Sequence, residues 1–453
     1  MASAADQLAS GLNLSKFGKA TELKKRLWFT LGALIIFRML SYVPLPGVDP
    51  TQLGLLAQRT QGGVLDFFNT FSGGALERMS VIALGVMPYI TASIVVQLAT
   101  SLSPALAAIK KDGESGRKRL NQYTRYGTVA LTAIQGYVIA VGLETLGATQ
   151  GLAPVVEPGM LFRVAAVISL VGGTMFLMWL GEQITSRGVG NGVSLIIFAG
   201  IVAVLPQGVW QMFTMTRTGS LSPFAMFAII ALAIAVVFAI VFMERSQRRL
   251  LVQYPKRQQG NRMFGGDTSF LPLKINTAGV IPPIFASSLL LLPTTAMGFL
   301  ATAELPAWAQ WLPGAVGLLQ HGQPAFMVLY AALIIFFCFF YTSVVFNPDD
   351  TAENLRKYGG FLPGIRPGKR TAEYLDYVLT RLTVIGAAYI TLVCLMPEML
   401  IGYFKAPFYL GGTSILIVVS VTMDTVTQIQ SHLLAHQYEG LIKKSKLRGG
   451  RAR

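Results

Sequence analysis

His432 and His436 stand four residues apart, the spacing that puts two imidazoles on one face of a helix and could supply half of a zinc site. No HExxH-type cluster completes it, and the third histidine, His321, is far away in the chain. Two cysteines, Cys338 and Cys394, lie inside apolar runs. They are too few for a disulfide framework, lack metal-ligand spacing and read as small packing residues. Asp424 is the clearest carboxylate within an apolar run, and Glu182 ends another. Arg38, Arg125, Arg163 and Arg381 sit near the ends of such runs, where a long side chain can reach a membrane surface. None of these residues forms a nucleophile–base pair, a metal set or a GxxxxGK[ST] phosphate loop. The expectation is a chain that is not an enzyme, carries no metal or cofactor, and hydrolyses no ATP itself.

The spacing that carries a physical function is aliphatic instead. Val86 and Ile90, and again Val193 and Ile197, are four apart and share a helix face. A constriction lined by such side chains dewets, so it blocks water and ions while binding no solute tightly. That suits a varied cargo that slides. The first pair belongs to the phrase GVMPYITAS at Gly85–Ser93. It returns 194 residues later as GVIPPIFAS at Gly279–Ser287, with six of nine positions identical. A weaker echo links NGVSLIIF at Asn191–Phe198 with GGTSILIV at Gly411–Val418. Proline removes a helix hydrogen bond, and hydrocarbon tolerates that only where protein or a water-filled cavity satisfies the backbone. The matched phrases open the second and seventh apolar runs, each the second of its half, and are expected to line an interior path.

Composition names the surroundings of these residues. Hydrophobic residues make up 53% of the chain and charged residues 13%, with a mean hydropathy of +0.55. A soluble domain carries about twice that charge. A bilayer core needs about 20 apolar residues per helix. Ten such runs occur, near 27–43, 81–98, 123–143, 162–181, 189–210, 223–243, 278–300, 326–346, 378–397 and 412–434. The expected fold class is an all-α polytopic membrane protein of ten spans in two five-helix halves. An odd number of spans per half inverts the second half, and inverted repeats place their site at the repeat interface. The expected divisions are a tail at 1–26, halves at 27–218 and 219–436, and a basic tail at 437–453. The N-terminal tail shows no removable signal peptide.

Charge sets the orientation. With ten spans, 29 basic residues fall on the side of the termini and four, Arg59, Arg78, Arg217 and Lys405, on the other. The positive-inside rule then puts both termini in the cytoplasm. The net charge of +16 is thus a cytoplasmic feature that also attracts anionic lipids. Two basic cytoplasmic loops, 244–275 and 347–377, are longer than topology requires. They read as docking surfaces for an acidic partner or RNA. Between the first two spans lies GGVLDFFNTFSGG at Gly62–Gly74, whose Val64, Phe67, Phe68 and Phe71 recur with helical spacing between glycine pairs. It is too short to span. It reads either as a passive interfacial helix or as a short plug beneath the constriction.

The phrases VPLPGVD, FFNTFSGGALER, ALGVMPYITASI, KKDGESGRK, QYTRYGT, PKRQQG, LPLKINTAGVIPPIFASS, FFCFFYTSVVFNP, PGIRPG and PFYLGGTS occur in that order from Val43 to Ser414. In them the chain resembles the SecY family, the channel subunit of the bacterial Sec protein translocase. The resemblance implies a clam-shell hinged between the fifth and sixth spans and an hourglass pore in the bacterial cytoplasmic membrane. It implies a pore ring at Val86, Ile90, Val193, Ile197, Ile284 and Ile417. The family often has isoleucine where this chain has Val86 and Val193, which leaves the ring slightly wider. It implies a plug over about Val64–Gly73, including Leu65, Phe67, Phe68 and Phe71. It implies a lateral gate between spans 2–3 and 7–8, with Pro88, Gln97, Asn276, Pro282 and Ser287 as its residues. Arg257 and Arg366 would dock the SecA ATPase or the translating ribosome. The implied partners are SecE, SecG, signal peptides, nascent chains and membrane lipids, with no sequence-specific nucleic acid. The alternative from the residues alone is a secondary transporter for a small or amphipathic solute, which the aliphatic lining and the scarcity of intramembrane carboxylates disfavour.

Overall fold

The structure is a computed structural model that describes residues 21–53, 72–150, 154–219, 222–254, 257–259, 262–264, 268–300, 323–404 and 412–449. Twelve helices run among them. They are α1 (Thr21–Leu40), α2 (Met87–Leu102), α3 (Pro104–Lys111), α4 (Glu114–Gln150), α5 (Met160–Arg187) and α6 (Gly192–Arg217). After these come α7 (Pro223–Arg245), α8 (Ile281–Leu300), α9 (Pro324–Val345), α10 (Pro348–Lys357), α11 (Lys369–Phe404) and α12 (Gly412–Gly449). Strands β1 (Gln247–Gln253), β2 (Arg257–Gln259), β3 (Arg262–Phe264) and β4 (Thr268–Lys274) lie between α7 and α8.

Helices α4, α5, α6, α7, α9, α11 and α12 are long and apolar enough to cross a membrane, and α2 with α3, bent by 107°, makes an eighth candidate. The other two expected runs also fold as helices. Of these, α1 carries Glu22, Lys24, Lys25, Arg26 and Arg38 within its length, and α8 is apolar over Ile281–Leu290. Local chemistry starts and ends the helices. Ser222 caps α7 by accepting from the Ala225 amide at 3.2 Å, with Pro223 in the first turn, where no helical donor is lost. Asn191 caps α6 through Val193 N and Ser194 N. Buried hydroxyls turn back on their own helix. Thr128 and Thr132 of α4 each donate to the carbonyl four residues earlier at 2.7 Å, which leaves no donor facing hydrocarbon.

The packing order is the same in both halves. Neighbours α2–α4, α4–α5 and α5–α6 are matched by α8–α9, α9–α11 and α11–α12. The halves meet on two sides, where α8 packs against α2 and α4, and where α12 packs against α6 and α1. The main apolar core draws on α1, α2, α5, α6, α7, α8, α9, α11 and α12. The long loops are not open chain. Strands β1 and β4 form an antiparallel hairpin in the register Gln247↔Lys274 to Gln253↔Thr268, and its tip carries the β2–β3 pair. Helix α10 and the start of α11 occupy much of 347–377. Gln253 and Phe361 exchange backbone hydrogen bonds of 2.9 and 3.0 Å, and Leu250, Leu273, Leu362, Leu375 and Leu379 share one apolar cluster. The two basic loops are therefore one packed body.

Candidate functional site

Each repeated phrase begins with a turn and not with a helix. Gly85 and Gly279 both have left-handed backbones, with φ of 57° and 63°, a region that glycine enters without steric cost. Two residues later the helices start, α2 at Met87 and α8 at Ile281. Pro88 and Pro282 thus sit in the first turn, where the missing N–H has no helical acceptor to satisfy. The phrases open the second and seventh apolar helices, as the sequence pattern predicts, and the start of the second moves from 81 to 87.

Two more glycine pairs repeat the same architecture. A side chain at Gly173 of α5 would run into the Val81 carbonyl, and one at Gly386 of α11 would meet the Ile275 carbonyl. Val81 and Ile275 each lie four residues before the left-handed glycine of their own copy. Gly192, which opens α6, abuts the Gly181 carbonyl of α5, and Gly412, which opens α12, abuts the Val393 carbonyl of α11. Small residues let membrane helices approach backbone to backbone. The echo between the starts of α6 and α12 is therefore a shared packing device.

The expected ring residues all belong to, or pack against, one apolar core. Val86, Ile90, Ile197, Ile284 and Ile417 are all buried in the main apolar core, and Val193 packs against it half-buried. Ile90 and Ile284 occupy the same position in the two phrases, and Ile197 and Ile417 the same position in the weaker echo. By that symmetry Val280 is the counterpart of Val86, and it too packs against this core. Aligning the two phrases residue by residue could have found it. The arrangement has no acid–base chemistry to offer. What it can do is hold a dry aliphatic closure between helices of two halves.

The remaining candidates are placed as follows. Pro88 and Pro282 are buried. Gln97 is half-buried and donates to Ser93 Oγ on its own helix at 3.3 Å. The Ser287 hydroxyl is buried and donates to the Ile284 carbonyl at 3.0 Å. Asn276 is buried and donates through Nδ2 to Glu244 Oε1 at 2.6 Å, a carboxylate that sequence reasoning did not single out. Val64, Leu65, Phe67, Phe68 and Phe71 lie outside the described residues. Gly73, at the end of that segment, is buried with φ of 69°, close against Gly200 of α6, and its carbonyl accepts from Arg38 Nη1. Arg257 pairs with Phe264 at the tip of the hairpin. Arg366 is exposed on a turn between Gly364 and Gly368, both left-handed, and its carbonyl accepts from Thr371 Oγ1 at 2.9 Å. Asp424 of α12 is exposed on the isolated chain.

The four arginines near the ends of apolar runs have partners. Arg125 of α4 pairs with Glu182 of α5 at 2.6 Å, and Arg163 of α5 pairs with Glu144 of α4 at 2.6 Å. Arg38 also lies over the Tyr42 ring, and Arg381 over the Tyr377 ring of its own helix. The two ion pairs satisfy charge at the edge of an apolar bundle and tie α4 to α5.

A family model described as SecY matches residues 80–426. The protein translocase subunit SecY of Escherichia coli (strain K12) is 53% identical over 432 residues, which covers 95% of this chain and 96% of that protein. A solved structure described as that of a protein conducting channel superposes with a TM-score of 0.67 at 18% identity, covering 90% of this chain and 92% of that one. Another, of a SecY protein whose plug domain is described as stabilizing the closed state of the translocation channel and maintaining a membrane seal, gives 0.65 at 18%, with coverage of 90% and 92%. These two likenesses show the fold, and the family match and the sequence identity settle the lineage: the chain belongs to the SecY family.

Proposed function

We propose that this chain is the protein-conducting channel of a translocase in the bacterial cytoplasmic membrane. Unfolded secretory polypeptides pass between its two halves, and transmembrane segments leave sideways into lipid. The observation that supports the reading is one apolar core, shared by α2, α6, α8 and α12, that buries Val86, Ile90, Ile197, Ile284 and Ile417 and has Val193 packed against it. Such a collar seals by dewetting when closed and grips no particular side chain when open. The pore ring is Val86, Ile90, Val193, Ile197, Ile284 and Ile417, with Val280 beside it. The lateral gate lies where α8 meets α2 and α4, and takes in Pro88, Gln97, Asn276, Pro282 and Ser287. The segment 62–74 is the plug, hinged at Gly73.

The ten helical runs form two inverted five-helix halves, 27–218 and 219–436, closing like a clam-shell about the α6–α7 connection. The distribution of 29 basic residues against four supports both tails, 1–26 and 437–453, lying in the cytoplasm. The packed body built from 244–275 and 347–377 docks the SecA motor or the ribosome through Arg257 and Arg366. SecE and SecG complete the membrane complex, and anionic lipids surround it.

The test is to stall a preprotein in the reconstituted complex and crosslink it to cysteines introduced as Ile90→Cys, Ile284→Cys and Ile417→Cys. Crosslinks at all three positions are expected. A stalled chain that crosses the membrane without touching any of them refutes the reading. Uptake of a small solute by vesicles containing this chain alone would point to a secondary transporter.

A further inference from the structure

The two repeat turns differ three residues before the left-handed glycine, and that difference links the gate to the hairpin. In the first copy Gly85 N donates to the Ile82 carbonyl at 2.8 Å, and Ile82 is itself buried in the apolar core. In the second copy the equivalent residue is Asn276. Its Oδ1 accepts from Gly279 N at 3.0 Å and its Nδ2 donates to the Gly279 carbonyl at 3.1 Å, so the amide clasps both backbone groups of the left-handed glycine. The same Nδ2 donates to Glu244 Oε1 at 2.6 Å. Glu244 is the penultimate residue of α7, and α8 begins two residues beyond Gly279. The β1–β4 ladder continues to this point through the Ile275 N to Ser246 carbonyl bond of 3.2 Å, which sets Glu244 beside Asn276 at the base of the hairpin. Gly386 of α11 leaves room for residues 275 and 276 to pack against it.

We propose that Glu244 is a positioning residue for the gate helix α8, acting through the Asn276 clasp on Gly279. The first turn is fixed by apolar burial, which resists displacement. The second is held by the Asn276 clasp on Gly279, which one short hydrogen bond ties to a carboxylate at the root of the basic hairpin. A partner bound to the hairpin therefore moves α8 by way of this bond, while α2 stays in place. A hydrogen bond to a charged group at a part-buried site is strong, and its loss leaves a buried amide donor without its acceptor. The inference rests on the channel reading above, in which α2 and α8 are the two lips of the gate.

The test measures the separation of the lips directly. Spin labels are placed at Val95→Cys on α2 and Leu289→Cys on α8, both exposed, in a chain whose buried cysteines are changed by Cys338→Ala and Cys394→Ala. Pulsed electron paramagnetic resonance is recorded on the complex with its membrane partners in lipid vesicles. Glu244→Ala is expected to add a longer-distance population, with the open-to-closed ratio raised about tenfold, the effect of losing one charge-assisted hydrogen bond. Glu244→Gln, which keeps a carbonyl acceptor, is expected to retain most of the short-distance population. Asn276→Asp keeps the acceptor for Gly279 but cannot donate to Glu244, and is expected to open the gate as Glu244→Ala does. If both Glu244→Ala and Asn276→Asp leave the distances unchanged, or if Glu244→Gln opens the gate as far as Glu244→Ala, the assignment is overturned. Either result can coexist with crosslinks between cargo and collar, so failure of this inference is separable from failure of the channel reading.

Discussion

A single aliphatic side chain in the collar contributes by refusing water. Ile284 is almost fully buried in the core that also holds Ile90, Ile197 and Ile417. Ile284→Asn puts an amide into that core, where burying an unpaired polar group costs about 1–3 kcal/mol. Water that satisfies the amide also wets the collar. Both effects favour the open state. The expected outcome is that Ile284→Asn exports precursors with defective signal sequences about tenfold faster than the parent, a change worth about 1.4 kcal/mol. A channel that becomes more stringent contradicts the collar role. At this scale the aliphatic pairs Val86/Ile90 and Val193/Ile197 were legible from spacing, and Ile284 and Ile417 entered the proposed ring through the family resemblance. Glu244 was not, because it looks like an ordinary polar residue ending an apolar helix, and only the β1–β4 register turns it toward Asn276.

At the scale of elements, helix starts and close contacts repeat between the halves. Gly192 and Gly412 open α6 and α12 with their Cα atoms pressed against carbonyls of the preceding helices. A methyl group there must push α6 away from α5, or α12 away from α11. Overpacking of this kind costs about 1–3 kcal/mol. Gly192→Ala and Gly412→Ala are each expected to lower the thermal unfolding midpoint of the purified complex, while alanine at Gly32, which has nothing within 4 Å of its added Cβ, leaves it unchanged. Equal midpoints for all three variants contradict the close-packing argument. The prolines show how much of a helix start is legible. The repeated phrase marks where the second and seventh apolar runs open, and a left-handed glycine three residues earlier leaves each proline in the first helical turn. The φ of that glycine is not written in the apolar pattern.

At the scale of the whole molecule, the basic hairpin and the turn bearing Arg366 form one body, joined by the Gln253–Phe361 bridge and an apolar cluster. Arg366 is exposed on it, so reversing its charge changes the proposed docking surface without disturbing packing. Arg366→Glu is expected to slow motor-driven export of a preprotein at least about tenfold at low salt, since rim charges act on encounter and are screened as salt rises. Its unfolding midpoint is expected to stay at the parental value. Unchanged export would remove the residue from the docking surface. The two long loops were legible as basic and longer than topology needs. That they pack together was not, because the contact between Gln253 and Phe361 spans more than a hundred residues of chain and leaves no periodic trace in either segment.

The sequence by itself determined the class of the protein, the positions of its apolar helices, its charge asymmetry and its internal duplication. Each of these is a local or additive property: runs of apolar residues, counts of charge, and repeated words. The tertiary structure decided which of those words face one another. The residues of the proposed collar share one apolar core only because glycines at the helix starts let the backbones approach and left-handed turns at Gly85 and Gly279 precede α2 and α8. Those are relations between distant backbone segments, set by steric fit and by the handedness of a few turns, and no window of the chain contains them.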